Sequence, residues 1–421
     1  MFLIGSWLTI GPIRTKNTHQ LPDIAGAMIP PEDMNRLQEL GREAKKFSPD
    51  SMKLPLPRRF RMEVTQEYLK VMLGNLLVTI DVLLSEGDTS ASIARALIES
   101  TAYGSWLRER GFSRVSLEQV LQMRRFQNQG GRILTYRNSL CLKLDDMDIG
   151  ARVPMSFMRP PFPVCYIEFG PAEDRGALPY EVCIGDTTWL PLEGAYITYH
   201  SDADGSTLSD RGREALGIEP EKPIYCLELN FTGSPIGMEK DKQSVAADLA
   251  LYISLYWTDP DQTIEETLKR HFMLLMERDG ISQGSKESLE ANMRRLSKAL
   301  LYLITGNREQ AVESQESDLA RRLAAGKNPA KSRKVLSQLR RSYDRVIIGP
   351  NRPYIPLEDR LSGIRRRTGV RPHFRRAHWS TRWSGPKRAI LKPVQIDLTL
   401  VNAEGLSDED MSYLQRDYDV M

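Results

Sequence analysis

Two stretches of the chain carry side chains whose types and spacing could do chemistry. The denser is Arg371-Pro372-His373-Phe374-Arg375-Arg376-Ala377-His378-Trp379, followed by Arg382, Trp383 and Gly385-Pro386. Arginine offers a planar, permanently charged fork for phosphate. Aromatic rings stack on unpaired bases, and histidine gives or takes protons near neutral pH. Interleaving the three suits contact with a single-stranded nucleic acid through Arg371, Arg375, Arg376, His378, Trp379, Arg382 and Trp383. The plainer alternative is that Phe374, Trp379 and Trp383 are core aromatics and the arginines pair with carboxylates elsewhere. A protein interface is a third reading.

Metal-free cleavage of a phosphodiester needs two proton-transfer groups on opposite sides of the scissile phosphate, with a cation for the developing charge. His373 and His378 are the pair to consider. Five residues apart, they fall on opposite faces of a strand and about 140° apart on a helix, so only a turn beside Pro372 would converge them. The expectation is a binder, with His378 on phosphate and His373 structural, and a His373/His378 ribonuclease is the competing reading. The second stretch, Met158 to Phe169, sets Glu168 inside an apolar run. A buried carboxylate is costly unless paired, so a structural ion pair with an arginine is expected there. His200, ahead of Asp202 and Asp204, hints at a metal loop, but Arg213 stands where an EF-hand requires a carboxylate. No metal site is expected, and His19 and His271 are taken as ordinary surface or helix residues. Phosphate-binding and dinucleotide glycine loops, HExxH and a serine elbow are missing from the sequence, so no cofactor is expected.

The net charge of +3 hides an asymmetry. Between Leu361 and Ile396 stand ten Lys/Arg and no Asp or Glu; setting those ten aside from the 58 leaves 48 basic residues against 55 acidic ones. A positive field concentrated on a mildly acidic chain steers phosphate ligands. The apolar start, Met1 to Ile10, lacks a basic leader and a small-residue cleavage pattern, so no signal peptide is expected. Val71 to Leu84 falls short of the roughly 20 residues that span a bilayer and contains Asp81. The expected place is the cytoplasm of a bacterial host, with no membrane partner. Cys141, Cys165, Cys183 and Cys226 lie far apart, as buried reduced thiols do, without the close pairs of a zinc knuckle.

The elements that must position these groups suggest an α+β fold: a helical N-terminal third, a central antiparallel sheet with following helices, and a basic C-terminal module ending in a strand. Pro31 to Lys46, Val64 to Ser85, Ser90 to Arg110 and a segment from Leu117 to Gly130 have helical spacing, and the Pro/Arg-rich stretch Ser48 to Arg61 looks like a linker. From Arg132 the period changes toward two, with short strands broken by Gly, Pro, Asp and Asn. Helical signals return in Ser244 to Trp257, Asp261 to Glu277 and Lys286 to Thr305. The expected division is 1–130 helical, 131–310 α+β, 311–360 a charged helical or linker segment, 361–402 the basic module and 403–421 an acidic tail.

The Pro-Phe-Pro and Ile-Glu-Phe block in the middle and the Arg-Pro-His-Phe-Arg-Arg-Ala-His-Trp block near the end, in that order and position, resemble a family of phage and plasmid proteins. It is the family of the type V-A anti-CRISPR protein that lowers production of the CRISPR nuclease. The resemblance runs from about residue 150 to 402; many relatives have Gly where this chain has Ala377. It implies a protein that acts during translation, recognising a nascent target and causing loss of its mRNA. The expected partners are therefore mRNA together with a nascent polypeptide or the ribosome. An endoribonuclease centred on His373 and His378, and a non-enzymatic DNA-binding maintenance protein, are the alternatives.

Overall fold

Proline and serine set the helix starts in the first third. Pro31 opens α1 (Pro31–Lys45), with Glu32 and Asp33 in its first turn and Arg42 and Lys45 in its last, the charge order that suits the helix dipole. Ser48 caps α2 (Pro49–Lys53), and α3 (Leu56–Phe60), α4 (Glu63–Leu73) and α5 (Leu76–Ser85) follow. Thr89 caps α6 (Ser90–Glu99); after α7 (Gly104–Glu109), a reciprocal Ser113–Ser116 capping box opens α8 (Arg114–Asn128). The computed structural model describes residues 30–184, 188–201, 203, 210–219, 222–238, 240, 243, 250–276, 283–305, 310–325, 329–339, 342–351, 354, 373–396 and 399–401.

Three sequence expectations change here. The helix expected over Val64 to Ser85 is broken at Gly74, at φ +50°, so that α4 and α5 bend by 102°. The one expected over Ser90 to Arg110 stops at Ser100, which turns extended at ψ 135°, before α7. The Ser48 to Arg61 stretch is no linker: Leu54, Leu56, Phe60 and even Arg59 are buried against the rest of the chain.

The central part runs β1 (Arg132–Tyr136), α9 (Asn138–Asp145), β2 (Val164–Phe169), β3 (Glu181–Ile184), β4 (Thr188–His200), α10 (Asp210–Leu216), β5 (Tyr225–Gly233), β6 (Ala250–Trp257), α11 (Ile264–Met276) and α12 (Gln283–Ile304). It continues through β7 (Gln310–Ser314), α13 (Gln315–Ala324), α14 (Pro329–Leu339) and β8 (Asp344–Ile348). The strands form one sheet in the order β6-β5-β4-β2-β1-β8-β7, with β3 on β4. It is mixed: β1 pairs parallel with β2 and β8, the other pairs being antiparallel. The parallel β1–β2 step follows from the α9 crossover between them. Ala250 to Trp257, expected in a helix, is β6, in register with β5 over eight pairs. Two strands of the sheet, β7 and β8, come from residue 310 onward, all but Gln310 within the segment expected to be a charged helix or linker.

Helices cover both faces. β2 is buried along its whole length: Cys165, Ile167 and Phe169 join the core formed with α9, α11 and α12, whereas Val164 and Tyr166 join the core of the N-terminal helices. This makes an α+β body with a sheet between two helical layers. Among the described residues no single helix is long and apolar enough to cross a membrane. The bent α4–α5 pair buries Leu73, Leu76, Ile80 and Leu84 inside the protein.

A candidate nucleic-acid interface on the C-terminal ribbon

The basic segment forms β9 (His373–Arg375), β10 (His378–Ser384), β11 (Ile390–Ile396) and β12 (Thr399–Val401). β9 pairs with β12 and β10 with β11, both antiparallel. His373 is paired with Val401 and His378 with Ile396, five residues along on each strand, so both pairs share one register and form a single interrupted ribbon. That register does not converge the two histidines. The side chains of His373 and Arg375, and the whole of Arg371, lie outside the described residues.

The root of the ribbon is locked to the body. The Trp379 N–H donates to the Asp148 carbonyl at 3.1 Å, and the Asp148 N–H donates to the Ala377 carbonyl at 3.0 Å. The Trp379 side chain is 0% exposed and belongs to the core under α9 and α12. Expected to stack on a base, it offers no face to one: it is the ribbon's anchor. Arg376 is exposed and reaches the Asp148 carboxylate at 3.3 Å, an exposed pair worth about 0–1 kcal/mol. His378 is half-buried, with Nδ1 3.3 Å from the Arg376 carbonyl oxygen.

Beyond the root the ribbon leaves the body, and strand alternation sorts its side chains. Trp379, Thr381 and Trp383 share one face; His378, Ser380 and Arg382 share the other, together with Lys392. Trp383 is 61% exposed. Arg382 is paired directly with Lys392 across the strands, a like-charge placement that destabilises a hairpin. Arg382, Lys387, Arg388 and Lys392 are all exposed, and the ion pair of Arg376 is the only one among the described side chains of the ribbon. Lys387, Arg388 and Lys392 count in the basic run but escape a motif-based reading. Pairing the strands across a five-residue loop, 385–389, is what puts Lys392 beside Arg382.

The buried charges of the body behave differently. Glu168 accepts hydrogen bonds from Thr135 at 2.6 Å, Arg175 at 2.9 Å and Tyr343 at 3.0 Å, which is the ion pair expected for it. Burial nevertheless outweighs these partners and pushes its carboxyl above the usual range. Arg59, fully buried, pairs with the equally buried Glu193. Glu228 accepts from Tyr252 at 2.7 Å and Ser90 at 3.1 Å, and lies 3.0 Å from His200 Nε2. Burial raises its pKa, but the His200 hydrogen bond, His200 and Arg125 charge and Tyr252 together overcome that and hold it at about 2. His271 is on a helix but not at the surface: its Nε2 accepts from the Tyr256 N–H at 3.2 Å, and burial pushes its pKa down to about 4. None of these groups is open to a substrate. A cleft of about 270 Å³ beside α3 and β7 is lined by Arg58, Arg61, Glu316 and Arg345 among others. Its charge is largely internally matched, with Arg345 bridging Glu173 and Glu313.

Residues 136–403, well over half of the chain, match the AcrVA2-like family, described as the anti-CRISPR type V subtype A2 family. The chain belongs to that family. The match takes in the sheet from the end of β1, α9 to α14 and the whole ribbon, and it leaves out α1 to α8. No curated protein sequence matches the chain. Among solved structures it is similar to the one titled "Crystal structure of AcrVA2", at 12% identity and a TM-score of 0.38, with 88% of this chain and 98% of that chain covered.

Proposed function

We propose that this AcrVA2-like protein lowers production of a target by engaging the target's mRNA during translation, with the ribbon holding RNA and the body recognising the translating target. The observation that carries the reading is the outer half of the ribbon: Arg382, Lys387, Arg388 and Lys392 exposed without a described carboxylate partner, beside an exposed Trp383. Cations track a phosphate backbone, and a solvent-facing indole stacks on a base that is not paired. Membership of an anti-CRISPR family agrees with a protein that acts against a host defence system.

The test is direct binding of labelled single-stranded RNA, single-stranded DNA and duplex DNA by purified protein, together with mRNA levels of a candidate target in cells. Preference for single-stranded RNA that weakens with salt is the expected result. Preference for duplex DNA would instead support a DNA-binding maintenance protein. Metal-free cleavage of the RNA, lost in His378→Ala at unchanged affinity, would support a ribonuclease.

A further inference from the structure

The turn at the tip of the ribbon is built against its own stability. Two hydrogen bonds close overlapping turns: the Arg388 N–H to the Gly385 carbonyl at 3.1 Å and the Ala389 N–H to the Pro386 carbonyl at 3.3 Å. The first places Lys387 at the third turn position and the second places Lys387 and Arg388 at both central positions. Their φ values are 55° and 53°. Turns that need positive φ at these positions select Gly, which has no Cβ to meet the backbone, or Asn and Asp, whose short polar side chains hydrogen-bond locally. Asn-Gly would close the same turn with less strain, yet the chain carries Lys-Arg. Two residues further down the ribbon from the Ser384–Ile390 pair, Arg382 stands opposite Lys392, a second choice that disfavours the free hairpin. Both departures add positive charge, both are solvent-exposed, and both lie at the same end of one ribbon. Local choices that oppose the fold collect where function requires them.

Resting on the RNA reading above, we infer that the tip is a seat for successive phosphates of one RNA strand: Lys387 and Arg388 take one and the Arg382–Lys392 pair takes the next, while Trp383 offers its indole to a base on the ribbon's other face. The Ser384–Ile390 pair that carries the turn stands two strand residues, about 7 Å at a rise of roughly 3.3 Å each, from the Arg382–Lys392 pair, and Lys387 and Arg388 lie beyond it, so the two groups of cations are at least one nucleotide step of an extended strand apart. A bound phosphate removes the repulsion between Arg382 and Lys392 and offsets the unfavourable turn. RNA therefore orders the ribbon tip. A single strand is the ligand that uses the 61% exposed indole as well, because only an unpaired base leaves a face free to stack on it.

The test uses the full chain and a fluorescent oligouridylate. Lys387→Asn with Arg388→Gly relaxes the turn and removes two cations, so it should leave melting unchanged or raised while affinity falls about tenfold or more. The salt slope should flatten by about 0.7, for the one phosphate that the two cations hold. Lys387→Gln with Arg388→Gln keeps the turn strain but not the charge, and should lose the same slope. Wild-type affinity and slope in both tip variants, with binding lost in Arg382→Ala/Lys392→Ala, would overturn the tip seat and leave the RNA reading standing. A wild-type chain that does not bind the oligouridylate would overturn both.

Discussion

Replacing Trp379 by Ala tests whether the ribbon is part of the body or a tail tied to it. The indole is 0% exposed in the core beneath α9 and α12, and truncating a buried Trp costs about 3–5 kcal/mol through lost burial and the cavity left behind. The loss falls on the ribbon root, where the same residue's backbone is bonded to Asp148. Trp379→Phe should be far milder, under about 2 kcal/mol: the indole N–H has no acceptor among the described residues, so phenylalanine also removes a buried unpaired donor. Gly150→Ala attacks the same joint from the other side, because a Cβ there would stand 2.0 Å from the Trp379 carbonyl oxygen, a backbone atom with no room to yield. Urea unfolding should report the stability losses. Hydrogen exchange should show the Trp379 and Asp148 amides losing protection in Trp379→Ala and Gly150→Ala but not in Trp379→Phe. If Trp379→Ala unfolds at the wild-type midpoint with both amides still protected, the packing argument is wrong.

Arg382→Ala with Lys392→Ala should flatten the salt dependence of RNA binding by about 0.7, read from titrations at several salt concentrations; Arg321→Ala with Arg322→Ala, on the exposed α13, should change it less. His378→Ala should weaken RNA binding without a separate effect on RNA integrity, checked by binding and by gel analysis of the bound RNA. The Glu228 carboxyl is depressed from 4.5 to about 2, so it contributes stability that is present above about pH 4.5 and lost as pH falls toward 2. The urea midpoint should fall across that window, and less so in Glu228→Gln. Arg175→Ala strips Glu168 of its cation and should cost about 3–5 kcal/mol in urea unfolding, a result that an unchanged midpoint would refute.

Local patterns were legible and long-range partners were not. The ten-cation run marked the ribbon, and a lone acid in an apolar strand marked Glu168 as paired. Arg59 could not be read as buried, because its partner Glu193 is 134 residues away and nothing in the Pro/Arg-rich stretch announces it. Leu251, Ile253 and Leu255 alternate with Tyr252, Ser254 and Tyr256, yet the Ala-rich run before them suggests a helix, and only pairing with β5 settles β6 as a strand. The ribbon shows the same limit in miniature. Alternation puts Trp379 and Trp383 on one face, but which of the two meets the core depends on where the ribbon leaves the body, and that is fixed by Asp148 and Gly150, more than two hundred residues earlier in the chain.

Charge is handled in opposite ways in the two parts of the molecule, and the contrast bears on how RNA would find its place. In the body, Glu168, Glu193 and Glu228 are each met by a buried arginine or by histidine and hydroxyl donors, so these arginines are occupied and hidden from a polyanion. Outside the basic segment the chain carries 48 basic residues against 55 acidic ones, an excess that repels phosphate over a Debye length of about 8–10 Å. On the ribbon, cations stand opposite one another with no described carboxylate partner. On the proposed reading, a nucleic acid approaching this protein would be turned away from the body and drawn to one projecting end. Specificity for a particular message cannot come from that end, since contacts to phosphate carry no sequence information and stacking tolerates every base. It has to come from whatever the body recognises, which is the reason for separating RNA holding from target recognition in the proposed mechanism.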